Sequence, residues 1–99
     1  MIKMSVMYPN EKGKRFDADY FAHKHVALVH KKLGPAVLVK SEVDKSVDAN
    51  SPFIAIVHLY FKTMDDYLNG FFPHAAELTA DMVNYTDIIP QVQISEIVK

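Results

Sequence analysis

The chain has no cysteine, so it can form no disulfide, no thiolate nucleophile and no thiolate metal site. Nor does it carry GxGxxG or a P-loop, which leaves a nucleotide cofactor without its usual phosphate cradle. GxSxG and HExxH are missing too, so neither a nucleophile elbow nor a zinc-protease helix is signalled. No cofactor of any kind is expected. The opening MIKMSVMYPN holds no sustained apolar run and is not expected to act as a signal peptide. No later stretch is expected to span a membrane. Neither sign of charge dominates. Eleven Lys and Arg face twelve Asp and Glu, a net of −1, which argues against nucleic acid or an anionic membrane surface as partner. Repeats, low-complexity runs and linkers are absent. A cytoplasmic setting is the expectation.

What the chain has is apolar residues, 49% of 99, enough for one domain over 1–99 with a real core. The size is modest, so association with a second copy would add stability. Residues 2–8 alternate, with Ile2, Met4, Val6 and Tyr8 against Lys3, Ser5 and Met7, and predict a strand. Residues 16–33 predict one amphipathic helix with Asp17 as its cap and Gly34-Pro35 as its stop. A second strand is expected over 36–45, polar on one side as an exposed edge would be. FIAIVHLYF, 53–61, is expected to be a central strand, apolar on both faces and therefore covered on both. Thr63 starts a second helix, with Asp66 as a variant capping box. Gly70 and Pro73 should break it, with a fresh helical turn near Pro73. Residues 83–90 read as a connector and 91–99 as a last strand. The order β-α-β-β-α-β predicts an α+β, ferredoxin-like fold, a four-stranded antiparallel sheet with both helices on one face. Those helices cover only one face, so a homodimer is expected to cover the other.

On the first helix's wheel His25 falls between Phe21 and Val29 on the apolar stripe, whereas His23 and His30 fall on the opposite face. A buried imidazole must hydrogen-bond. It is also the side chain whose ordinary pKa, about 6.5, suits proton transfer near neutrality. His23 and His25 project about 200° apart on a helix and cannot chelate one ion, so no metal site is expected. Two readings of His25 stand side by side: a core histidine bonded to a carbonyl, or an acid–base group in a pocket. The company favours the pocket. Tyr8, His58, Tyr60 and Tyr85 are polar tips on apolar bodies, as expected around a flat apolar ligand. The candidate catalytic residues are His25, Tyr8 and His58. Candidates for binding a small hydrophobic ligand are Phe21, Tyr60, Phe72, His74 and Tyr85, where Phe72 adjoins the helix break and His74 a helix start.

Six segments in order, MIKMSVMYP, FDADYFAHKHVALV, FIAIVHLYF, FFPHAAELTAD, NYTDIIP and QVQISEIV, resemble the EthD family over nearly the whole chain. The most recognisable of them places Tyr20-Phe21, His25 and Leu28-Val29, while HLYF and PHAAE place His58, Tyr60 and His74. The resemblance implies a dimeric α+β barrel built from ferredoxin-like subunits, a dry pocket in each subunit and one histidine working there. It implies cofactor-free chemistry of the lyase, isomerase, dehydratase or monooxygenase kind on aromatic, lactone or quinone-like metabolites. The alternative is a non-catalytic binding or accessory protein of a degradation or biosynthetic pathway.

Overall fold

Alternation in the sequence becomes a sheet in the computed structural model, which describes residues Met1–Lys99. Strands β1 (Ile2–Pro9), β2 (Lys40–Lys45), β3 (Phe53–Phe61) and β4 (Gln91–Glu96) lie in the order β2-β3-β1-β4, all neighbours antiparallel. Both helical segments pack on one face. The fold is the expected ferredoxin-like α+β arrangement.

Three boundaries move. The regular part of β2 begins at Lys40 rather than 36. Gly34 takes φ +79°, and the N–H groups of Val37 and Leu38 both donate to its carbonyl, 3.2 and 3.0 Å away, so the chain turns before it can extend. Leu38 is buried by that turn, and only from Val39, whose N–H donates to Tyr60, does the chain run beside β3. Phe16 is not helical either; it forms an isolated antiparallel bridge with Thr86. The last strand ends at Glu96, short of residue 99.

The first helical segment spans 18–33. Asp17 Oδ1 accepts from the Tyr20 N–H at 3.0 Å, and Gly34 closes the other end by donating to His30 O at 2.9 Å. Between the α-helical pieces Ala18–Tyr20 and Val26–Leu33 lies a π-helical turn, Phe21–His25, in which Val26 N–H reaches back five residues to Phe21 O. Nothing in the apolar spacing forecasts it. Phe21, His25, Val26, Val29 and Leu33 are buried, while His23 and His30 are exposed.

The second segment spans 64–84. Thr63 Oγ1 accepts from Asp66 N–H at 3.1 Å. Beyond Met64–Asp66 comes a second π-helical turn, Tyr67–Phe71, then a 3₁₀ turn, Phe72–His74, that holds Pro73. The helix resumes at Ala75–Ala80 and ends in a further 3₁₀ turn, Asp81–Asn84. The break forecast at 70–73 is present, because Pro73 cannot continue an α-helical ladder. No helix is long and apolar enough to cross a membrane.

Strand parity sorts the side chains. Ala55, Val57, Leu59 and Phe61 face the helices and are buried, with Met4 and Tyr8 of β1 beside them. The opposite face carries the cross-strand pairs Met7 and Ile56, Ser5 and His58, Lys3 and Tyr60. It is more polar than the composition of β3 suggests. His58 sits between Ser5 Oγ at 2.9 Å and Asp44 Oδ2 at 3.0 Å, and Tyr60 donates to Glu42. The Lys40 ammonium stands 4.6 Å from the centre of the Tyr60 ring. That bond to Glu42 pushes the Tyr60 hydroxyl up to about 12 and holds Glu42 below the usual carboxylate range.

Candidate functional site

The π-helical turn delivers His25 to the space between helices and sheet. Its ring lies nearly parallel to Phe21, centroids 5.9 Å apart, and 4.7 Å from the ring of Tyr85. Nδ1 is 2.9 Å from Asp81 Oδ2. Asp81 comes from the end of the second helix and is itself held: Tyr20 Oη donates to its Oδ1 at 2.8 Å and Asn84 Nδ2 at 2.9 Å. Burial works to raise the Asp81 pKa, but the hydrogen bonds from Asn84, His25 and Tyr20 outweigh it and hold the carboxyl below its ordinary value. An ionised carboxylate only accepts, so the Nδ1 proton belongs to His25. In the neutral imidazole that leaves the lone pair on Nε2. Nε2 has no partner within the protein, yet no buried side-chain nitrogen or oxygen is left unbonded. Nε2 therefore reaches open space.

The His25 ring lines a cavity of about 110 Å³. Met4, Val6, Val57 and Leu59 form its floor, Val26, Val29, Phe71 and Leu78 its roof, and Tyr8, His25 and Tyr85 its polar end. Thr79, Pro90 and Val92 also line it, and Val92 is 52% exposed. An apolar cavity of roughly 150 Å³ accommodates benzene, so this one admits a single small ring or a short chain.

Tyr8 and Tyr85 share a hydrogen bond of 2.7 Å between their hydroxyls and are almost wholly buried. Burial, opposed in part by the bond from Tyr85, pushes Tyr8 up to about 12. Burial, with the neighbouring Tyr8 and Asp81, raises Tyr85 as well. Both remain protonated near neutral pH.

Of the residues singled out from the sequence, His25, Tyr8 and Tyr85 meet at the cavity. Phe21 stands behind them, edge-to-face with Tyr8 at 5.2 Å. The expectation that His58 or Tyr60 lies close to His25 fails: both project from the other face of the sheet, because Tyr8 and Ala55 fix the parity of β1 and β3. Phe72 is 62% exposed at the 3₁₀ turn, and His74 stands at the surface with Glu77, 3.5 Å away. Neither lines the cavity. Asp81 escaped the sequence reading. It sits fifty-six positions from His25, and an acidic residue at a helix end reads as solvated surface unless the packing of the two helices is known.

A four-stranded antiparallel sheet under two helices, with a pocket between the layers, defines a ferredoxin-like α+β domain. An EthD-like protein from Ralstonia eutropha JMP134 shares it with a TM-score of 0.86 and 35% identity, over 99% of this chain and 92% of that one. The chain belongs to the EthD-like family. An EthD-family protein from Bacillus halodurans C-125 superposes with a TM-score of 0.72 at 16% identity, covering 99% of each chain. A candidate antibiotic biosynthesis monooxygenase from Bordetella bronchiseptica gives 0.67 at 20%, over 99% of this chain and 97% of that one. At those identities the last two show the fold alone. No family model matches the chain, and no curated protein matches it.

Proposed function

We propose that the chain binds a small hydrophobic metabolite, aromatic, lactone or quinone-like, and moves a proton on it through His25 without a cofactor. The observation that carries this is the state of the imidazole: Nδ1 anchored to a carboxylate, Nε2 without a protein partner, and the ring on the wall of an apolar cavity. A histidine kept only for packing needs no open nitrogen. One that acts as a base needs its lone pair aimed at the ligand and its other nitrogen fixed, which Asp81 does. A positioned acid–base group contributes about 10²–10⁴-fold. Exclusion of water and fixed dipoles would supply the remainder.

The working unit we propose is a homodimer with the two sheets face to face. Met7 and Ile56 are half-buried on the face that the helices leave free. The polar groups beside them already pair with one another, so covering them strands few donors.

The test is a thermal-shift and turnover screen of aromatic acids, lactones and quinones on wild type, His25→Ala and His25→Phe. His25→Phe fills the apolar volume but carries no lone pair. Turnover by wild type alone supports the reading. Ligand binding without turnover in any variant would instead favour a carrier or sensor.

A further inference from the structure

Two buried hydroxyls share one hydrogen bond, and the count of protons does not close. Tyr8 Oη and Tyr85 Oη lie 2.7 Å apart, so one donates to the other. Each carries a proton, and that single bond uses one of them. The remaining proton has no acceptor within the protein, since neither hydroxyl makes a second hydrogen bond. These are among the least exposed side chains of the molecule, at 2% and 0%. A buried donor without an acceptor is destabilising, so the pair is suited to something that arrives. Both tyrosines border the cavity, and the Tyr85 ring lies 4.7 Å from that of His25. Of the pair only Tyr8 keeps any exposure, so with Tyr85 donating to it the spare proton sits on the Tyr8 hydroxyl, at the polar end of an otherwise apolar pocket.

We propose that the Tyr8–Tyr85 hydroxyl pair is a donor site for a ligand oxygen, and that the ligand is a small carbonyl compound with an acidic hydrogen on the neighbouring carbon. The assignment rests on the reading of His25 as the proton-transfer group and adds the ligand's chemical class. In the step it implies, His25 Nε2 takes the proton from the α carbon and becomes imidazolium. The C–H electron pair forms a carbon–carbon double bond, and the carbonyl π pair moves to oxygen. The enolate oxygen then accepts from the spare tyrosine proton, whose bond strengthens as charge develops there. Return of the proton from Nε2 to the same carbon gives exchange, and return to a different carbon of a conjugated ligand gives isomerisation. No oxidant, reductant or second substrate is required.

The test uses two probes of one shape, cyclopentanone and methylenecyclopentane, sized for the cavity, with binding followed by NMR titration. Wild type should bind the ketone about three- to tenfold more tightly, the worth of one ordinary hydrogen bond. Tyr8→Phe/Tyr85→Phe removes both hydroxyls together and keeps both rings, a change close to neutral for folding. It should lose the preference and bind both probes alike. Equal affinity of wild type for the two, including no measurable affinity for either, would overturn the assignment, as would a double variant that still prefers the ketone. Exchange of the ketone's α hydrogens in D₂O, read on the same samples, reports on His25 separately. Preference without exchange would leave the donor site standing and remove the acid–base reading; exchange without preference would do the reverse.

Discussion

His25 is fixed on one side by a carboxylate and flanked by the rings of Phe21 and Tyr85, so its freedom is confined to the nitrogen that faces the cavity. His25→Ala should therefore abolish turnover or ligand response while leaving a folded protein. His23→Ala and His30→Ala should do almost nothing, because His23 is exposed and His30 reaches only Ser41 on the surface. Activity and thermal-shift assays on the three variants check this, and retained activity in His25→Ala would return the residue to a packing role. Asp81 gives a second expectation. Its native pKa lies below its unfolded value, so the stability it contributes is present above about pH 4 and lost as pH falls through the native value. Asp81→Asn should cost about 1–3 kcal/mol in urea unfolding at neutral pH. That gap from wild type should narrow as pH is lowered below about 4, and a gap that widened on acidification would contradict the assignment. The buried histidine was legible in the sequence, as the wheel places it between Phe21 and Val29. Its partner was not, because Asp81 meets it only after two helices have packed.

The helices carry the departures from regularity. Each contains a π-helical turn at its most buried aromatic stretch, Phe21–His25 and Tyr67–Phe71, features that often mark functional segments. The second of them brings Gly70 against the turn before β2. A Cβ at Gly70 would lie 2.5 Å from Val37 Cγ1 and 3.2 Å from Val37 Cβ, and a β-branched side chain has little room to yield. Alanine gains about 1 kcal/mol over glycine in a helix, but overpacking costs about 1–3 kcal/mol and should win. Gly70→Ala is expected to lose stability in urea unfolding, and Val37→Ala in the same chain should recover part of the loss. A Gly70→Ala protein more stable than wild type would show that the contact is loose. The strands, caps and the break at Pro73 could be read from alternation, Asp17, Thr63 and the fixed proline ring. The π-helical turns could not, since they arise from how the aromatic residues settle on the sheet.

At the scale of the whole molecule, the sheet separates two chemistries. One face holds the cavity; the other holds the Ser5–His58–Asp44 row and the Tyr60–Glu42 pair. The sequence placed His58 and Tyr60 with His25 because a strand's composition does not say which face the helices choose; the burial of Ala55, Val57, Leu59 and Phe61 does, and it sends His58 and Tyr60 to the other side. The free face is expected to meet its copy. Light scattering at micromolar concentration should return twice the 11.2 kDa chain mass, and a stable monomer would remove the dimer. The proposed chemistry turns, however, on one nitrogen. Long-range ¹H–¹⁵N NMR of the imidazoles, at about pH 8 where histidine side chains are ordinarily neutral, reports which nitrogen carries the proton. The prediction for His25 is a protonated Nδ1, lost or redistributed in Asp81→Asn, and a bare Nε2 whose shift moves when a ligand enters the cavity. A proton resident on Nε2 would contradict the account, because the atom required to take a proton would already hold one.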